Sequence, residues 1–198
     1  ANTFAITPDG SRIISCNSNS DRQINVWDIH TKNLLHTLEA HSDLVTSVAI
    51  TPDGKKIVSC SSDRTVKIWD LNEARLLHTL EGHSDEVYCI AIAPDGKKIV
   101  SGSGDRTVKV WDLRTRWLLR TLEGHSDSVR SVATTPDGGK VVSGSVDRTI
   151  KIWDITTGRL LSCFECARAI ESIIVTPDGQ SVVSSFDDLT MKMWTIPK

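Results

Sequence analysis

The chain has 198 residues, 39% of them hydrophobic, and its 23 basic and 25 acidic side chains leave a net charge of −2. That near-neutral balance supplies no long-range pull toward nucleic acid or anionic lipid, so neither is expected as a partner. No apolar run approaches the roughly 18 residues of a membrane helix and no secretory signal opens the chain; five irregularly spaced cysteines make no disulfide framework, so a reducing, cytoplasmic setting is expected.

Taken in order, the sequence repeats itself. An opening strand over residues 3–7 leads into Pro8-Asp9-Gly10, and the run from Asp21 to Asp28 reads DRQINVWD. It returns as DRTVKIWD from Asp63 to Asp70, DRTVKVWD from Asp105 to Asp112, DRTIKIWD from Asp147 to Asp154 and DLTMKMWT from Asp188 to Thr195. The tryptophans of these runs stand at 27, 69, 111, 153 and 194, in steps of 42, 42, 42 and 41. Pro-Asp-Gly keeps the same time at 8, 52, 94, 136 and 177, and His-Ser-Asp at 41, 83 and 125. The spacing divides a single array into units of approximately 1–40, 41–82, 83–124, 125–165 and 166–198. The second and third are identical at 29 of 42 positions, as duplication of one unit would leave them.

The third unit displays the elements of all five. A strand over Val87–Ile92 meets the turn Pro94-Asp95-Gly96; a second covers 98–101 and turns at Gly102-Ser103-Gly104-Asp105; a third and fourth cover 107–113 and 117–122. Proline presets φ and glycine accepts a positive φ, which is what such turns require. Valine- and isoleucine-rich strands suit a pleated surface packed on both faces. No stretch of about ten residues carries helical periodicity, so an all-β chain is predicted. The first unit has two additional residues within 17–20, and the fifth stops after its third strand at Ile196-Pro197-Lys198. A start at Ala1 instead of Met reads as a mature product or a fragment.

A period of about 40–45 residues closed by Trp-Asp marks propeller blades, and at these residues the chain resembles WD-repeat proteins over essentially its whole length. The resemblance implies an all-β β-propeller of four-stranded antiparallel blades, with five units present as part of a seven-bladed ring. Two further blades and a closing strand would add about 90 residues. A closed five-bladed ring is the competing arrangement, and its three-stranded fifth unit would keep an open edge through which the chain could self-associate.

Three units carry Ser, His, Asp and Trp at fixed offsets: His41, Ser59, Asp63 and Trp69; His83, Ser101, Asp105 and Trp111; His125, Ser143, Asp147 and Trp153. Ser, His and Asp also make a hydrolase triad. A triad is needed once, however, and this set recurs with the structural period. The resemblance implies a buried network tying the inter-blade loop to the strands, and a buried carboxylate needs such partners. No catalytic residue is therefore assigned. The first unit keeps Ser15, Asp21 and Trp27, and the fifth Ser184, Asp188 and Trp194, without the histidine; Cys166 stands where the spacing from Trp194 predicts it.

The remaining motifs have sharper and plainer readings. Cys163-Phe164-Glu165-Cys166 lacks the second ligand pair of a zinc site and the βαβ setting of a redox motif, so no metal or cofactor is expected. Cys16 and Cys60 occupy a position held by Gly102 and Gly144 elsewhere, where a small residue packs. Arg22, Arg64, Arg106 and Arg148 follow the turn aspartate, as phosphate ligands or, more simply, as solvated turn residues. Trp117 reads as a scattered surface aromatic or a contact anchor.

Positions that differ between near-identical units are free or in use. By resemblance, partners bind beside the first valine of each unit and before the turn aspartate. Those positions are Leu44, Thr46 and Ser62; Glu86, Tyr88 and Gly104; Ser128, Arg130 and Val146; Ala169, Glu171 and Asp187. A chemically mixed set suits a protein or peptide ligand. The expected function is a non-catalytic interaction scaffold, with a docking or sensing part of a longer signalling protein, or an enzyme on a propeller scaffold, as the alternatives.

Overall fold

In the computed structural model of the chain the described residues are 2–17 and 22–196. Asp21 and most of the two-residue addition within 17–20 lie outside them. Nineteen strands and no helix are found among the described residues. The first unit supplies β1 (Asn2–Ile6), β2 (Arg12–Asn17), β3 (Gln23–Asp28) and β4 (Leu34–Glu39), and the second β5 (Val45–Ile50), β6 (Lys56–Ser61), β7 (Val66–Asp70) and β8 (Arg75–Leu80). Then follow β9 (Val87–Ile92), β10 (Lys98–Ser103), β11 (Val108–Asp112) and β12 (Leu118–Leu122), and β13 (Val129–Thr134), β14 (Lys140–Ser145), β15 (Thr149–Asp154) and β16 (Leu160–Glu165). The fifth unit ends the series with β17 (Ile170–Val175), β18 (Ser181–Phe186) and β19 (Met191–Thr195). Each set forms its own antiparallel meander, four strands in the first four units and three in the fifth. The second and third strands of the third unit differ from the expected 98–101 and 107–113 by two residues or fewer at their ends.

The turns explain why the chain reverses where it does. Thr51 Oγ1 donates to Asp53 Oδ1 at 2.5 Å and accepts the Lys56 N–H at 3.0 Å, while Gly54 takes φ +68°. The same arrangement holds Thr7 with Asp9, Thr135 with Asp137 and Thr176 with Asp178. A threonine before Pro-Asp-Gly is thus part of the turn; the third unit has Ala93 there.

The chain forms two compact units, Ala1–Ile90 and Ala91–Lys198, which divide within β9. In the first, β1 and β2 lie against β5, and the core gathers Ile14, Ile24, Val26, Val45, Ile57 and Trp69. In the second, β10 lies against β13, and β13 and β14 against β17, with Val142, Ile150, Ile152, Ile170, Ile173 and Val182 in the core. The second strand of each central sheet is buried on both faces, as the β-branched pattern of Ile57-Val58 and Val141-Val142 requires. Gly144 sits where a Cβ would fall 2.5 Å from Ile170 Cγ2, so the small residue is what lets the fifth sheet approach the fourth.

Candidate functional site: bulged first strands over buried networks

In the second, third and fourth units the first strand starts beside an Asp-containing turn, and beneath that turn lies a polar network. In the second unit His41 Nδ1 meets Asp63 Oδ2 at 2.8 Å and His41 Nε2 meets Ser59 Oγ at 2.8 Å. Trp69 Nε1 donates to Ser59 Oγ at 2.9 Å. The fourth unit repeats the geometry: His125 lies 2.8 Å from both Asp147 Oδ2 and Ser143 Oγ, and Trp153 Nε1 donates to Ser143 Oγ at 2.9 Å. In the third unit His83 and Ser101 are buried, and Ser101 Oγ accepts the Trp111 N–H at 2.9 Å. Asp105 takes the backbone N–H and hydroxyl of Thr107 at 2.9 and 2.7 Å.

The charges follow from these contacts. Burial pushes the His125 imidazole below its ordinary range, and the hydrogen bond to Asp147 only partly offsets it. Burial works to raise Asp147, but hydrogen bonds from Thr149 and His125 outweigh it and hold the carboxyl low. Asp63 is held low in the same way by His41 and Thr65. At neutral pH the fourth unit therefore pairs a neutral imidazole with a carboxylate. Nδ1–H donates to Asp147, while Nε2 accepts the Ser143 hydroxyl proton. Although this is the connectivity of a triad, Ser143 is 0% exposed and its oxygen already accepts an indole N–H. A nucleophile needs access to a substrate carbonyl, which a sealed hydroxyl lacks.

Above the networks, the first strands of the second, fourth and fifth units carry a β-bulge, while β1 pairs with β2 in unbroken register. The register of β5 on β6 slips between Val45 and Ser47, that of β13 on β14 between Val129 and Ser131, and that of β17 on β18 between Ile170 and Ser172. The residues inside the bulges are Thr46, Arg130 and Glu171. A bulge leaves one residue out of the ladder and re-aims its side chain. In the same sheets a backbone bond joins the two loops: Ser62 N–H to Leu44 O at 3.0 Å, Val146 N–H to Ser128 O at 3.0 Å, and Asp187 N–H to Ala169 O at 3.3 Å. The structure thus gathers 44, 46 and 62 at one sheet end, 128, 130 and 146 at another, and 169, 171 and 187 at a third.

These residues do not present themselves equally. Arg130, Glu171 and Asp187 are exposed, whereas Leu44, Ser62, Glu86, Tyr88, Gly104, Ser128, Val146 and Ala169 are half-buried. Thr46 is half-buried too, and its hydroxyl donates to Val87 O at 2.5 Å, tying one strand to the next. Ser62 Oγ donates to Glu86 Oε2 at 3.1 Å. The sequence reading passed over Thr65 and Thr149, which cap the turn aspartates at 2.6 and 2.7 Å, and Ser61 and Ser145, whose hydroxyls bond Asp43 O and Asp127 O. Their recurrence at a fixed offset was the available signal.

The other motifs have plain positions. Burial pushes the Cys166 thiol up to about 11, away from the reactive thiolate range, and Lys151 Nζ donates to Cys163 Sγ at 3.2 Å. Among the described residues no group of three or more His, Cys, Asp or Glu could hold a metal, and no helix is long and apolar enough to cross a membrane. Arg64, Arg106 and Arg148 are exposed and left-handed, with φ of 70°, 68° and 66°. Trp117 is 74% exposed at the edge of β12.

Repeated meanders of this kind, with Trp-Asp closing the third strand in the first four and Trp194-Thr195 in the fifth, define an all-β repeat protein made of propeller-type blades. Residues 2–28, 32–70, 74–112 and 116–154 match the family described as WD domain, G-beta repeat. The chain belongs to the WD40 repeat family. It is similar to the U5 small nuclear ribonucleoprotein 40 kDa protein of Dictyostelium discoideum, at 44% identity over 57 residues, 29% of this chain and 16% of that protein. The matched stretch is therefore a small part of that relative's length. WD40 domains are generally non-catalytic scaffolds that bind other proteins.

Proposed function

We propose that the chain is a non-catalytic scaffold that holds a protein or peptide on the sheet ends carrying Leu44, Thr46 and Ser62, Glu86, Tyr88 and Gly104, Ser128, Arg130 and Val146, and Ala169, Glu171 and Asp187, which are bulged in the second, fourth and fifth units. The observation behind this reading is the recurrent bulge, which takes Arg130 and Glu171 out of the ladder at exposed positions. Loops and bulges on rigid sheets can vary in sequence without disturbing the packing beneath them. The exposed set mixes a guanidinium with carboxylates, which suits a polypeptide with its own mixed charge better than a uniformly charged ligand. The similarity to a ribonucleoprotein subunit lies in 57 residues of repeat sequence and assigns no setting to this chain.

A photo-crosslinking amino acid placed at Arg130, at Glu171 and, as a control, at Lys97 in the third unit's Pro-Asp-Gly turn tests the reading. The expected result is one protein captured from both bulge positions and not from the turn. Equal capture from all three would remove the bulged ends as the docking surface.

A further inference from the structure

The fifth unit keeps two of the network's bonds, over a buried Ser184 but with Asp188 and Thr190 exposed, and leaves a space beside them. Trp194 Nε1 donates to Ser184 Oγ at 2.9 Å, and Thr190 Oγ1 donates to Asp188 Oδ1 at 2.6 Å, matching Trp153 with Ser143 and Thr149 with Asp147. The histidine position can be located from the preceding strand. Gln23 pairs with Glu39 two residues before His41, and Thr149 pairs with Glu165 two residues before Ala167. The Ala40 and His41 N–H groups both bond Arg22 O, and the Cys166 N–H bonds Arg148 O, so the strand register is what separates the two positions. By register, then, Ala167 and not Cys166 stands where the imidazole would be, and the loop after it is one residue shorter.

A cavity of about 300 Å³ opens at this place, lined among others by Ala167, Asp188, Thr190, Lys192 and Trp194. In the fourth unit the counterparts of Asp188, Thr190 and Trp194 touch the His125 ring: Asp147 at 2.8 Å, Thr149 at 3.2 Å and Trp153 edge-on at 6.2 Å between centroids. We propose that this cavity is a binding site for an imidazole group brought from outside the blade, as a free heteroaromatic molecule or as the histidine side chain of a docked polypeptide. Asp188 Oδ2 accepts the ring N–H, Thr190 holds the carboxylate in place, and the Trp194 indole, which carries Lys192 Nζ 4.0 Å from its ring centroid and packs on Phe164, offers its edge to the incoming ring. Arg168 Nε now meets Asp188 Oδ2 at 3.4 Å through an exposed guanidinium, a contact long enough to yield to a better donor. Hydrogen bonds from Thr190 and the nearby Arg168 charge keep Asp188 below its ordinary range, so the acceptor is ionised at neutral pH. Arg168 and Lys192 both border the space, which favours the neutral heterocycle over its protonated form.

The test is a titration of the whole chain with 4-methylimidazole, read by the indole N–H resonance of Trp194. A saturable shift with a dissociation constant on the order of 1–10 mM is expected for so small a ligand. Asp188→Asn should weaken binding about tenfold. Ala167→His, which supplies the ring from within, should abolish binding and raise Tm by about 2–4 °C. The second variant keeps the test decisive if the first folds poorly. N-acetylhistidine amide separates the two sources: tighter binding than 4-methylimidazole means a polypeptide delivers the group, and binding of the free heterocycle alone means a small molecule does. Failure of both to bind, equal binding of thiophene, or a shift that survives in Ala167→His overturns the proposal.

Discussion

Ser143 Oγ has three claims on it, from the His125 ring, the Trp153 N–H and the apolar surroundings that exclude water, and a hydroxyl can meet all of them only by donating to one and accepting from the other. Ser143→Ala therefore leaves two buried groups without a partner, and should cost about 1–3 kcal/mol for each in urea unfolding. The same network sets a pH dependence. A buried imidazole held low takes up no proton in the folded chain while the unfolded chain protonates near pH ~6.5, so stability falls as the pH drops below that value. Asp147, also held low, adds a second loss below about pH 4, where the unfolded carboxyl takes a proton that the folded one refuses. The urea midpoint should fall from pH 8 to pH 5.5 and again at pH 3.5, and His125→Gln should shrink the first step. A midpoint that rises on acidification would contradict the protonation state described.

At the scale of one sheet against the next, Gly144 marks a close approach of the fifth sheet to the fourth. Gly144 would place a methyl group 2.5 Å from Ile170 Cγ2, so Gly144→Ala should cost about 1–3 kcal/mol through overpacking. The substitution lies far from the turn chemistry, and it should leave the His125 network and its pH response unchanged. The fifth sheet carries the opposite defect. It lacks the imidazole, Met191 and Met193 of β19 are 75% and 64% exposed, and their counterparts Ile150 and Ile152 in β15 are 0% and 1% exposed. Amide hydrogen exchange should be faster in β18 and β19 than in β14 and β15. Loss of one or two network bonds, at about 1 kcal/mol each, sets the expected difference in opening free energy.

For the molecule as a whole, β19 is the outer strand of a three-stranded sheet and carries exposed apolar side chains. Such an edge is a template for pairing with another strand. The mass of this chain by light scattering should therefore rise with concentration, and Met193→Lys should suppress the rise. A constant mass of 21.8 kDa would show that the edge is tolerated.

Much of this was already readable as a period. Strands, their order within each unit and the recurrence of Ser59, His41 and Asp63 follow from spacing alone, because a repeat that must pack against copies of itself keeps the same residues at the same offsets. Ala167 shows where counting along the chain stops working: measured back from Trp194 the histidine position is Cys166, while the pairing of Thr149 with Glu165 moves it by one. The bulges at Thr46, Arg130 and Glu171 were equally invisible, since a bulge is a relation between two strands and no single residue type demands it. What the sequence determined by itself was the all-β repeat and the recurrence of its Ser, His, Asp and Trp at fixed offsets, through turn chemistry, β-branched patterning and period. Only the tertiary structure decided which side chains the bulges release and that the fifth unit holds a cavity, because both depend on how one strand registers against another.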